Sequence, residues 1–283
     1  MSTAKRFFAP FLKVFIFILA TVWGAKILYS EVIFPGYSFL PFEIYNPILD
    51  LTKDRFIFRV IFFLWTLFLY FFMQLILTKR KWKALVIVQE KPKFISFLKG
   101  AVIGIIYMAV ILSTLLILNF FKISKTYLIP KEAFLLLFGD LIAIAATTFL
   151  LELIFRATSL EILKKDLNIH LANLIVSIFF ASIFIFSKSD FYPIKQLSLS
   201  MLLGYIYNRY GFYKAFGFHF GFDYLESLFF SNAVFNINLK RLADFTPLTE
   251  LSLVSFIFLA AGIFWVVFHS NRSTKQNKKK RLS

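Results

Sequence analysis

The stretch AFLLLFGDLIAIAATTFLLELIFR, residues 133–156, decides how the rest of the chain is interpreted. It is long and apolar enough to cross a hydrocarbon core as a helix. It ends with a carboxylate, Glu152, and a guanidinium, Arg156, four residues apart. Side chains at that spacing share a helical face and can pair, and an ionisable pair inside a membrane indicates a functional site. The alternative is a helix end at the interface, with Arg156 extended toward the headgroups and neutralised by Glu152.

The composition indicates an integral membrane protein. Of the 283 residues, 59% are hydrophobic and 41 are Phe, whereas soluble domains average about 45–50% apolar residues. The apolar residues come in blocks of roughly 20, the length that spans a bilayer. The formal charge of +17 is carried by basic residues at the ends of these blocks, which is typical of orientation signals and lipid contacts. We therefore expect no nucleic-acid partner. The chain has no cysteine, so disulfides and thiol nucleophiles are excluded.

The blocks predict an all-α fold, a polytopic transmembrane helix bundle with about eight spans. These are 8–29, 56–78, 98–121, 133–155, 168–187, 194–209, 212–231 and 250–269. With the N-terminus inside, nineteen Lys and Arg fall in the inner stretches and nine, among them Lys195, in the outer loops. This asymmetry predicts that both termini are cytoplasmic.

One transmembrane domain, residues 1–271, is predicted, followed by a polybasic cytoplasmic tail over 272–283. The tail is expected to contact anionic lipid headgroups. We expect a multi-pass protein of the cytoplasmic membrane, with a bacterial inner membrane as its location.

A second group of polar residues lies in the seventh block. His219, Asp223 and Glu226 are spaced i, i+4 and i+7, on one face of a helix. Gly217 and Gly221 flank the histidine and would let another helix backbone come close. A His held by a carboxylate can donate a proton, stabilise an oxyanion or bind a metal. It can also be a satisfied contact between helices, and Glu226 can simply be near the outer headgroups.

Asp140 lies twelve residues before Glu152, about 120° around the helix, so we do not place it in the site. It could belong to a proton relay or pair with a lysine from a neighbouring helix.

Three segments resemble the CPBP family, the CAAX-protease and bacteriocin-processing membrane proteins. Its members carry EExxxR, then FxxxH, then HxxxN or HxxxD. The matching segments here are LELIFRATSLEIL (151–163), VSIFFASIFIF (176–186) and LSLSMLLGYIYNRYGFYKAFGFHFGFDYL (197–225). The resemblance covers a core of about 135–230.

The resemblance implies an intramembrane endopeptidase, with a peptide or a lipidated protein as its substrate or partner. The site residues that it implies are Glu152, Arg156, His219 and Asp223. It also implies a possible divalent metal, for which Glu152, His219 and Asp223 are the only candidate ligands. Two family positions differ: the first glutamate of the pair is Leu151, and the second-motif histidine is Phe184.

Three functions stay open from the sequence. The first is a degenerate member of the family whose peptidase activity is lost or reduced, because Leu151 and Phe184 cannot activate water. The second is an active intramembrane protease that uses Glu152, His219 and Asp223. The third is a proton-coupled transporter-like bundle in which Asp140, Glu152 and His219 form a path.

Overall fold

The computed structural model describes residues 3–20, 63–72 except 65 and 69, 93–126, 131–184, 192–230, 235–239 and 247–282. Most of the predicted span 56–78 lies outside these residues. The helices are α1 (Thr3–Ile18), α2 (Phe94–Ile117), α3 (Lys131–Glu152), α4 (Ile169–Ser182), α5 (Tyr192–Tyr210), α6 (Phe212–Phe230) and α7 (Pro247–Leu282). Between α3 and α4 lie a π-helical segment, Leu153–Leu160, and a one-turn helix, Glu161–Leu163.

The predicted helical architecture is confirmed, with one addition. β1 (Phe121–Thr126) follows α2, and β2 (Phe235–Leu239) follows α6. The two strands pair antiparallel, with Phe121 opposite Leu239. The sequence analysis assigned no strand here, because the pairing joins residues more than a hundred positions apart and leaves no local signal beyond a short alternation.

Three of the described helical stretches are long and apolar enough to cross a membrane: Phe94–Ile117, Leu141–Leu163 and Leu251–Phe268. Ile169–Ser182 is a shorter apolar helix. Phe94–Ile117, Ile169–Ser182 and Leu251–Phe268 agree in position with predicted spans, whereas Leu141–Leu163 continues eight residues past the predicted span 133–155. The count of eight spans and the cytoplasmic location of the termini stay predictions. The backbone of α7 remains helical to Leu282, through most of the predicted tail.

Glycines bring α2 and α6 into direct contact. A Cβ atom added at Gly104 would lie 2.2 Å from the Phe218 carbonyl oxygen, and one at Gly217 would lie 2.1 Å from that of Phe97. Gly100 and Gly221 are equally close to the opposite backbone. This is the small-residue packing that membrane helices use. Gly217 and Gly221 thus admit another backbone, as the sequence analysis expected, and they fix α6 and its His219 against α2.

Two apolar clusters complete the core. One packs Phe155 of the π-helical segment with residues of α1 and α4, such as Phe17 and Phe180. The other joins α2, α5, α6 and α7 through residues such as Met108 and Leu203. Most of the polar residues described below are buried, so protein rather than lipid surrounds them.

Replacing Gly217 by Ala tests the helix contact. The added methyl would collide with backbone rather than with a flexible side chain, so α2 and α6 must separate. We expect destabilisation by about 1–3 kcal/mol, as for other overpacked contacts, measured by thermal unfolding of the detergent-purified protein. Val102→Leu, on the exposed side of α2, is the control and should leave the unfolding midpoint unchanged. An unchanged midpoint for Gly217→Ala would show that α2 and α6 do not meet this closely.

Candidate functional site

Glu152 is the last residue of α3, and the chain continues from it as a π-helix. Within this segment the Ser159 hydroxyl donates a hydrogen bond to the carbonyl oxygen of Ile154, five residues back, at 2.8 Å. Wide π turns of this kind occur often at functional sites. The segment contains Arg156, so the first motif lies on the irregular part of the helix, which the sequence did not indicate.

The predicted pair between Glu152 and Arg156 is present and completely buried. Arg156 Nη1 lies 3.3 Å from Glu152 Oε1, and neither side chain has any exposed surface. The interfacial interpretation, in which Arg156 extends toward the headgroups, is therefore wrong. The chain encloses the guanidinium, so it contacts neither headgroups nor solvent.

Contacts from α5 and α4 hold the Arg156 guanidinium in place. Arg156 Nη2 donates to the Ser200 backbone oxygen at 3.1 Å and to its hydroxyl oxygen at 3.0 Å. The guanidinium carbon lies 4.9 Å from the centre of the Phe180 ring, within cation–π range. Arg156 thus joins three helical elements at one point.

His219 lies between two carboxylates. Its Nδ1 is 2.8 Å from Glu152 Oε1, and its Nε2 is 3.2 Å from Asp223 Oδ2. The structure therefore brings together all four residues that the sequence analysis selected for the site, from α3, the π-helical segment and α6. Their catalytic role is a separate question and stays a prediction.

The charges in this cluster balance. If both imidazole nitrogens donate to carboxylates, His219 carries a positive charge. Two cations, Arg156 and His219, then face two anions, Glu152 and Asp223. Such compensation is what a group of ionised side chains inside a membrane protein requires.

The cluster has a buried end and a wetter end. Glu152 is fully enclosed, whereas the Asp223 side chain is 17% exposed. Among the described residues, the second carboxylate oxygen of Glu152, Oε2, has no hydrogen-bond partner. An unpaired carboxylate oxygen is free to accept a proton, but it is shielded from solvent on all sides.

The two positions that differ from the family are packed in apolar surroundings. Leu151 and Phe184 are both buried in the cluster around the π-helical segment. The Phe184 ring lies 5.5 Å from that of Phe180 and 5.6 Å from that of Tyr192. Neither side chain has an atom that accepts a proton, and two aromatic rings lie beside that of Phe184.

The divalent metal that the resemblance implied does not fit these residues. Each nitrogen of His219 already faces a carboxylate, and Glu152 and Asp223 lie on opposite edges of the ring. In the described part of the chain, no three His, Asp or Glu side chains are grouped so that they could hold an ion. We therefore assign no step to a metal.

A second buried ion pair lies farther along α6, between Lys195 and Glu226. Lys195 has no exposed surface, and its ammonium lies 4.8 Å from the centre of the Tyr192 ring. The prediction that Lys195 belongs to an outer loop is wrong, because α5 begins at Tyr192 and carries Lys195 into the interior. Glu226 likewise faces a partner in the protein rather than lipid headgroups.

Sequence reasoning missed Lys195 and Ser200 as partners of the ionisable groups. The available signal was Glu226, which shares a helical face with His219. A carboxylate on a face that packs inside the protein needs a cation on a neighbouring helix. For Asp140, only the backbone within α3 is described, so its role in a proton path stays a prediction.

Replacing Arg156 by Met tests the buried pair. The substitution would leave the enclosed Glu152 carboxylate without its guanidinium, and breaking a buried pair in this way costs about 3–5 kcal/mol. The readout is thermal unfolding in detergent. Lys164→Met is the control, because Lys164 pairs with Glu161 at a site where both side chains are about one-third exposed. Its cost should stay below about 1 kcal/mol. Equal losses for the two variants would mean that Arg156 is not shielded from water.

A double-mutant cycle tests the pair between Lys195 and Glu226. Lys195→Met and Glu226→Leu should each destabilise the protein strongly, since each removes one member of a buried ion pair. The double variant removes both charges and should recover much of the loss. Unfolding midpoints of the four proteins give the coupling. Additive effects would contradict a direct interaction.

One comparison with known proteins identifies the region around this site. Residues 133–225 match the family described as type II CAAX prenyl endopeptidase Rce1-like. The match covers about a third of the chain and includes Glu152, Arg156, His219 and Asp223. No curated protein matches the chain. The resemblance to CAAX-type proteases that the motifs indicated is confirmed over these residues, and the chain is an integral membrane protein with a segment similar to the CAAX prenyl endopeptidases.

Proposed function

We propose that this is a CAAX-protease-like membrane protein whose peptidase activity is lost or strongly reduced. The observation that carries the proposal is the environment of Glu152. Its carboxylate is held by Arg156 and His219, and the neighbouring family positions are the buried apolar residues Leu151 and Phe184.

Peptide hydrolysis needs a base placed on the attacking water. A leucine and a phenylalanine have no atom that accepts a proton, and their packing keeps water away from the place where it would be activated. Loss of a general base commonly costs a factor of roughly 10²–10⁴ in rate. Glu152 is a poor substitute, because its paired oxygen, Oε1, already neutralises a guanidinium.

The part of the site that remains suits binding rather than hydrolysis. His219 and Asp223 form a rigid, charge-balanced pair at the partly exposed end of the cluster. A peptide or a lipidated protein, the class of molecule that the family name indicates, could be held there by hydrogen bonds without being cleaved. In this proposal the chain binds such a partner.

An active protease is the second candidate, and one observation favours it. Glu152 Oε2 has no hydrogen-bond partner among the described residues and lies on the same carboxylate that contacts His219. A water brought to that oxygen by a substrate could lose its proton to Glu152, with His219 stabilising the oxyanion.

A cleavage assay separates the two candidates. Wild type and the Leu151→Glu, Phe184→His double variant are purified in lipid and incubated with a fluorogenic prenylated peptide ending in a CAAX sequence. If activity has been lost, wild type matches the protein-free rate, and the double variant exceeds it by about 10²-fold or more because a base and an imidazole are restored.

Three controls make the assay decisive. Glu152→Gln in wild type should change nothing if the protein is inactive, whereas loss of a robust wild-type rate would establish the second candidate and contradict the first. The unfolding midpoint of the double variant shows whether it folds. Binding of the prenylated peptide to wild type, compared with the same peptide lacking the lipid, tests the binding role directly.

A further inference from the structure

The turn between α5 and α6 gathers two cations around one aromatic ring. Gly211 directly follows α5 and has a φ of 88°, a conformation that glycine adopts without strain, and α6 begins at the next residue. The guanidinium carbon of Arg209 lies 5.2 Å from the centre of the Tyr210 ring, and Lys214 Nζ lies 4.1 Å from it. Tyr210 is 45% exposed, so this group faces outward.

A contact with α7 fixes Arg209 at this position. Its Nη1 donates to the backbone oxygen of Val266 at 3.1 Å. A guanidinium has five N–H donors in a planar fork, so this bond orients the group and leaves further donors for a ligand. Cations that are held in place lose less entropy on binding than those on freely rotating side chains.

The start of α2 adds two more cations to the same end of the bundle. A Cβ atom at Gly100 would lie 2.3 Å from the Lys214 backbone oxygen, so this part of α2 touches the beginning of α6. Lys99 is the neighbour of Gly100, and Lys93 precedes the helix. Both are exposed.

Large apolar side chains border these cations. Phe94 and Ile95, in the first turn of α2, are 70% and 69% exposed, and Phe264 and Trp265 of α7 are 71% and 66% exposed. Trp265 directly precedes Val266, the residue that Arg209 contacts. Aromatic and aliphatic groups beside basic residues are typical of the membrane–water interface, where acyl chains meet headgroups. A soluble phosphate has no apolar group that could contact these side chains, whereas a lipid has acyl chains.

We propose that Arg209, Tyr210 and Lys214, with Lys93 and Lys99, form a binding site for the headgroup of an anionic phospholipid. The phosphate oxygens accept charge-assisted hydrogen bonds from the two fixed cations, and the acyl chains lie along the exposed faces of α2 and α7. This site is independent of the function proposed above. Residues 272–282 are the last part of α7, and their expected contact with anionic headgroups would add to this site.

The direct test titrates the 283-residue chain in neutral detergent with short-chain phosphatidylglycerol. Binding is measured by isothermal titration calorimetry. Near a membrane surface, each Lys or Arg strengthens binding to anionic lipid by about five-fold. The variant Arg209→Gln, Lys214→Gln should therefore bind about thirty-fold more weakly. The charge-preserving variant Arg209→Lys, Lys214→Arg should keep most of the affinity.

Three comparisons keep the proposal falsifiable. The variant Lys13→Gln, Lys165→Gln removes two exposed cations elsewhere on the chain and should not weaken binding. An equal loss would mean that net charge alone attracts the lipid.

Neutralising Lys278, Lys279 and Lys280 should leave the binding affinity largely unchanged. Abolished binding would place the site on the tail. Short-chain phosphatidylcholine and inorganic phosphate should bind far more weakly than phosphatidylglycerol; equal binding of either would overturn the assignment to an anionic lipid. Unfolding midpoints confirm that each variant is folded.

Discussion

An ionised side chain enclosed by protein needs an opposite charge or a hydrogen-bond donor beside it. In the interior of this molecule, the residues around Glu152 meet that requirement. One of its carboxylate oxygens meets both the Arg156 guanidinium and the His219 imidazole. Every element that supplies a partner is thereby tied to the end of α3: the π-helical segment through Arg156, α5 through Ser200 and α6 through His219. The Lys195–Glu226 pair follows the same rule farther along α6. Desolvation makes such pairs weak net stabilisers, but their loss is costly, so they specify how the helices fit together.

The glycine contact between α2 and α6 is what makes the site geometry possible. The glycines on the two helices let the backbones approach to a distance that any side chain would prevent. Because this contact involves one face of α6, it also sets the rotation of the helix. His219 then faces Glu152 at the end of α3, while Gly217 and Gly221 lie against the backbone of α2. Packing of small residues thus fixes one side of α6 against α2, and ion pairing fixes the other side against α3.

The site combines a buried ionic frame with apolar residues at the two positions where the sequence differs from the family motifs. Arg156, Glu152, His219 and Asp223 retain the motif positions, while Leu151 and Phe184 belong to the hydrophobic core beside them. A frame of this kind holds its shape without performing a proton transfer, since the shape depends on charge balance and the reaction depends on an accessible base. This separation between architecture and chemistry is the physical basis for proposing a binding role.

The sequence alone determined the class of the protein, since long apolar blocks form few structures other than membrane helices. It also selected four candidate site residues from their helical spacing and motif order. Local pattern has limits, which three features illustrate. The π turn after Glu152 leaves no signal in the apolar pattern. The strand pairing of 121–126 with 235–239 and the burial of Lys195 depend on partners distant in the chain. Whether Arg156 lay at the interface or in the core was undecidable from spacing, because both arrangements use the same i, i+4 pair. Only the tertiary structure decided it, because the burial of the guanidinium depends on the neighbours that α4 and α5 bring to it.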